Sequence, residues 1–130
     1  MTTGNNAKRI MAGAIGVILI LTVLEFPAPI GFETRPQTNV SLAWLALFVV
    51  SVISEFVALA TIFKRPAFGA KFGIVAGVLN ILQVIADQAH LMQPEVAPWG
   101  YLLLEDAAAV ASFVLIYFSW KMIASLKMHR

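Results

Sequence analysis

The chain reads as an all-α integral membrane protein, an antiparallel bundle of four spanning helices. Three observations predict this. Of its 130 residues, 60% are hydrophobic and only 12% charged, about half the charge of an ordinary soluble domain. The apolar residues fall in four long runs, about 10–30, 40–63, 72–92 and 99–123, and not in one short core. The basic residues cluster at one set of the resulting helix ends. A helix of about 20 residues crosses the roughly 30 Å hydrocarbon layer, so four spans form a single transmembrane domain and leave no room for a soluble one.

The first run follows Lys8 and Arg9 and reaches spanning length only when Glu25 and Phe26 are included. Pro27 and Pro29 end it by removing backbone donors. A basic pair before some 15 apolar residues also has the outline of a signal peptide. No small-x-small cleavage site follows it, because Glu25-Phe26-Pro27-Ala28-Pro29 intervenes, so the segment is read as a retained helix. The second and third runs are joined by the short stretch 64–71, which predicts an antiparallel hairpin. Gly69, Gly73 and Gly77 make a small-xxx-small ladder that admits a close neighbour, read as packing inside the bundle. That glycine face continues into Asn80, Gln83, Asp87 and His90, whose spacings of three, four and three keep one side of a helix. Four polar groups on one stripe make the third span the most enclosed. In the fourth run, Ala107-Ala108-Ala109 also permits close contact.

Lys8, Arg9, Lys64, Arg65, Lys71, Lys121, Lys127 and Arg130 fall on one side of the membrane, and Arg35, beside Glu33, on the other. That bias predicts both termini in the cytoplasm. Trp44, Trp99 and Tyr101 then mark the outer interface, and Tyr117 and Trp120 the inner one. The positive balance is a membrane signature and not a nucleic-acid one. Zero cysteines exclude disulfides, thiol redox chemistry and thiolate metal ligands.

Function is sought in five acids lodged in the apolar segments: Glu25, Glu55, Asp87, Glu105 and Asp106. In hydrocarbon each costs several kcal/mol unless it is protonated, hydrogen-bonded or facing a wet cavity. At about 1.5 Å per residue, Glu25, Asp87 and Glu105 fall roughly 7–9 Å outward of their span midpoints. Asp106 is slightly deeper, His90 lies above them, and Glu55 sits some 6 Å to the cytoplasmic side of the centre. This predicts an outer-half pocket of Glu25, Gln83, Asp87, His90, Glu105 and Asp106, with Glu55 and Asn80 as a deeper polar group and Trp99 and Tyr101 as a lid. Such a pocket suits a lipophilic molecule with a polar head, such as a quinone, whose proton exchange uses carboxyl and imidazole groups.

Competing readings are a polar core that only fixes helix register, a proton- or cation-coupled transporter, and an accessory subunit without its own site. Transport is weakened because little beyond Glu55 is polar except Thr61 and Ser119. Asp87-x-x-His90 has the spacing of the carboxylate–histidine motif in di-iron bundles, but such sites need two of them, so no metal is expected. No nucleophile–base pair or cofactor motif is found, which leaves open whether the protein is an enzyme. A partner membrane protein or a second copy of the chain is expected beside the bilayer itself.

Residues 54–90 read SEFVALATIFKRPAFGAKFGIVAGVLNILQVIADQAH. A glutamate in the second span, a basic residue about ten later at the turn and a histidine closing the third resemble the DoxX-like small membrane proteins. The resemblance covers roughly a third of the chain and carries Glu55, Arg65 and His90 as matching positions. The outer end of the first span lacks the lysine frequent in that family, and Glu105-Asp106 has no counterpart in it. The resemblance implies a four-helix, multi-pass protein of the bacterial inner membrane, associated with quinone-linked sulfur oxidation or with partner oxidoreductases.

Overall fold

The computed structural model describes residues 2–129. Met1 and Arg130, the latter one of the basic residues of the charge bias, lie outside them. Four helices follow in order: α1 (Thr2–Leu24), α2 (Leu42–Thr61), α3 (Pro66–Gln88) and α4 (Trp99–Met128). A single 3₁₀ turn, Gln37–Asn39, interrupts the α1–α2 connection. All four helices are long and apolar enough to cross a membrane, as expected from the apolar runs. The helices nevertheless begin and end elsewhere than the runs do. α1 starts well before residue 10, and α4 runs five residues past 123.

Local chemistry explains the boundaries. Ser41 caps α2 by accepting from the Trp44 N–H at 3.4 Å. Pro66 occupies the first turn of α3, where its missing N–H would have no helical partner anyway. Before it, Arg65 N–H donates to the Thr61 carbonyl at 2.7 Å and closes the tight turn between α2 and α3. The third span, expected over 72–92, is displaced toward the chain start because α3 stops at Gln88. His90 follows with φ of 59°, its N–H on the Asp87 carbonyl (3.0 Å), while the Leu91 N–H reaches Ala86 (2.8 Å). Those two bonds make a Schellman termination, with histidine in the left-handed position that glycine usually takes.

α3 packs between α2 and α4, α1 lies against α4, and α1 and α2 touch little. Contacts at matching heights make neighbours antiparallel: Asn80 meets Ser51 and Glu55 of α2, while Gln88 meets Glu105 of α4. The glycine ladder is internal. A methyl at Gly69 would lie 2.7 Å from Ile62 Cα, at Gly73 2.5 Å from Ser119 Oγ, and at Gly77 2.6 Å from Ile116. The apolar core (Met11, Ile15, Ile18, Ala58, Ile62, Ala70, Leu115, Met122 and neighbours) fills the half of the bundle that holds both chain ends and the α2–α3 turn. The opposite half is polar inside.

Candidate functional site

The polar half is organised by the connection after α1. Phe32 N–H donates to the Leu24 carbonyl at 2.8 Å, Glu33 N–H to Phe26 at 3.2 Å, and Ala28 N–H to Glu33 at 2.9 Å. The chain thus doubles back over the end of α1. Gly31 is required there, since a Cβ would strike the carbonyl oxygens of Phe26 and Leu24. The fold-back turns Glu33 and Arg35 inward, leaving them 3% and 7% exposed.

Arg35 is the hub. Its Nε donates to both Glu33 carboxylate oxygens at 3.0 and 2.9 Å. Its Nη1 and Nη2 donate to the two oxygens of Asp87 at 2.9 and 2.8 Å, and Nη1 also reaches the Glu95 carbonyl at 3.3 Å. The Gln93 amide, with its oxygen turned toward the guanidinium, accepts from Nε at 3.0 Å. The guanidinium lies 4.9 Å from the centre of the Tyr101 ring, close enough for cation–π attraction. Burial opposes the charge on Arg35, but the bonds and charges of Glu33 and Asp87 outweigh it and push its pKa further up. One side chain therefore ties the α1–α2 connection to α3, the α3–α4 connection and α4.

Below this hub opens a cavity of about 370 Å³, within the size range of small-molecule sites. Its lining includes Glu25, Asn80, Gln83, Asp87 and Glu105, together with Glu33, Arg35 and the aromatic side chains of Trp44, Phe48 and Tyr101. Of the residues expected to form a pocket, Glu25, Gln83, Asp87 and Glu105 therefore meet at one level. The Glu105 carboxyl comes within hydrogen-bonding reach of Asp87, and Gln88 Nε2 donates to it at 3.4 Å. Oε1 of Glu25 and Nε2 of Gln83 have no hydrogen-bond partner among the described residues.

The other two expected members stand apart. His90 lies beyond the end of α3, exposed to the surroundings, and is not on the stripe of Asn80, Gln83 and Asp87. Asp106 is exposed on the outside of α4, where Gln88 Nε2 donates to it at 2.8 Å. Trp99 is 78% exposed and covers nothing, whereas Tyr101 packs inward on Arg35. Glu55, fully buried, lies one layer behind the cavity wall. Asn80 Nδ2 donates to its Oε1 at 2.7 Å, and Ser51 Oγ donates in turn to Asn80 Oδ1 at 3.1 Å.

Sequence reasoning missed Glu33, Arg35 and Gln93 as members of this site. The available signal was Arg35 itself, a lone basic residue on the side otherwise free of them. Comparison with family models, with curated proteins and with solved structures finds no match to this chain. The positions matching the DoxX-like pattern do not converge: Arg65 precedes the first residue of α3, His90 follows its last, and Glu55 is buried on α2.

Proposed function

We propose that the protein is a multi-pass membrane protein that holds a lipophilic molecule by its polar head, a quinone being one such molecule, and works beside a partner membrane protein. With the basic helix ends in the cytoplasm, the cavity under Arg35 belongs to the outer half of the bilayer. The observation that carries the reading is the cavity itself: partly open, largely apolar in its lining, with carboxyl and amide groups set into it, and bordered on one side by the weak α1–α2 contact. A molecule dissolved in the bilayer would enter there sideways. The transport reading finds less support, because the space beyond Glu55 is taken by the packed core of Met11, Ile15, Ile18, Ala58 and Ile62.

Two measurements test this. The chain has no cysteine, so Thr38→Cys and Lys64→Cys each introduce one exposed thiol. A membrane-impermeant maleimide should label Thr38→Cys in intact cells and Lys64→Cys only after permeabilisation; the reverse pattern overturns the orientation. Ala108 lines the cavity and is 6% exposed, so Ala108→Phe fills it. Mass spectrometry of extracts from the purified protein should find a lipophilic compound retained by the wild type and lost from Ala108→Phe. Identical retention by both overturns the cavity as the binding site.

A further inference from the structure

The cavity wall is one-sided in charge. Among the described residues it presents Glu25, Glu33, Asp87 and Glu105 against the single cation Arg35. The guanidinium is spent: its donors go to Glu33, to Asp87 and to the Glu95 carbonyl. A phosphate or carboxylate head would meet four carboxyl groups and no free cationic donor. Two wall atoms, both without a hydrogen-bond partner among the described residues, ask for opposite things. Glu25 Oε1 accepts. Gln83 Nε2, on a side chain that is only 9% exposed, donates.

A second, apolar groove of about 310 Å³ runs between α1 and α2, lined by Leu19, Val23, Val49, Val52, Ile53 and Phe56. It shares Thr22, Phe26 and Phe48 with the polar cavity, and the rings of Phe26 and Phe48, 6.5 Å apart, mark the junction. From Phe48 to Phe56 the groove follows roughly 12 Å of helix axis. Head space and tail space adjoin at these three shared residues.

Resting on the ligand reading above, we propose that the occupant is a lipophilic amine bearing an oxygen beside its nitrogen. The protonated nitrogen sits against Glu25, in a cavity that Trp44 and Phe48 also line. The oxygen accepts from Gln83 Nε2, and the hydrocarbon chain lies in the α1–α2 groove. A quinone head brings acceptors alone; it would satisfy Gln83, and would pair with the Glu25 oxygen only when that carboxyl carries a proton.

The test uses the full chain in uncharged maltoside micelles, titrated calorimetrically with N-dodecylethanolamine, dodecanol, dodecyl phosphate and a short-tailed ubiquinone analogue. The amine should bind about tenfold or more tighter than dodecanol and the ubiquinone analogue, and dodecyl phosphate should not compete with it. Glu25→Gln should abolish that preference, Gln83→Leu should weaken the amine several-fold, and Asp106→Asn should change nothing. If Glu25→Gln loses its monodisperse elution, Gln83→Leu and the wild-type amine-to-alcohol ratio decide. Equal binding of amine, alcohol and quinone analogue overturns the amine while leaving a ligand pocket standing. Failure of every probe to bind removes both.

Discussion

Replacing Arg35 by Met is the most informative single perturbation. The methionine keeps the unbranched apolar stem and removes the charge and all the side-chain donors. Two bidentate pairs disappear, the side-on one to Glu33 and the end-on one to Asp87. A naive sum at roughly 1.5–3 kcal/mol per bond to a charged group would exceed 6 kcal/mol. That sum overshoots, because the wild type also loses the hydration of a guanidinium that is only 7% exposed. What remains is the expense of leaving Glu33 and Asp87, each 3% exposed, without their cation. Breaking a buried pair from one side costs about 3–5 kcal/mol, a large share of the roughly 5–15 kcal/mol that stabilises a domain.

Unfolding in mixed maltoside and dodecyl sulfate micelles, followed by circular dichroism, measures this loss. Asp87→Asn and the Arg35→Met/Asp87→Asn double variant complete a cycle, in which a coupling of about 2 kcal/mol is expected for residues in direct contact. Arg35→Lys should recover less than half the loss, since an ammonium cannot bridge two carboxylates in the fork geometry of a guanidinium. The pKa of Arg35 is raised on folding, so its contribution is complete below the ordinary arginine value and vanishes only above the raised one. Alkaline titration should therefore leave the hub intact. A stability for Arg35→Met within about 1 kcal/mol of wild type, or a coupling below about 0.5 kcal/mol, would refute the hub.

Two further substitutions probe the frame that carries the site. His90 is left-handed at φ 59°, a region that costs a side-chain-bearing residue about 1–2 kcal/mol; His90→Gly should hold or raise stability by up to about 1 kcal/mol, and His90→Val should lower it by a similar amount, read in the same micelle assay. The α3 glycines should separate by what a methyl meets: Gly77→Ala strikes Ile116 and, at 3.0 Å, the Ser112 carbonyl, costing about 1–3 kcal/mol, whereas Gly73→Ala meets side chains only, first a Ser119 hydroxyl held by no hydrogen bond among the described residues, and should cost less. Equal losses at the two positions would contradict the backbone contact as the cause.

The four helices were legible because apolar runs of bilayer-spanning length would, in a hydrocarbon layer, have no way but a helix to pair their backbone polar groups within the segment. The level shared by Glu25, Asp87 and Glu105 was legible for the same reason: counting along rigid rods of fixed rise puts atoms at predictable heights. Azimuth was not. His90 was assigned to the Asn80–Asp87 stripe by extending a helical period two residues past the point where α3 ends. Hydropathy does not register that end, because residues 89–92 remain apolar enough to continue the run. Asp106, adjacent to Glu105, falls about 100° around α4, enough to carry it out of the interior.

The larger omission has a more general physical origin. The acids within the apolar runs read as uncompensated because compensation was sought within those runs, at helical spacings, where no base stood near them. In the fold the cation arrives from a connecting segment, carried by a glycine-dependent fold-back that no hydropathy period describes. Arg35 neutralises Asp87, 52 positions away in sequence, at 2.8 Å. Yet one guanidinium cannot answer every carboxyl in the wall, and its two partners are Glu33 and Asp87. Glu25 is left to water, to protons or to a bound molecule, and Glu105 accepts only a long bond from Gln88. The structural role of the polar layer is thus accounted for by Arg35 and its partners, and the remainder, Glu25 with Glu105 and Gln83, is where a function has to be sought.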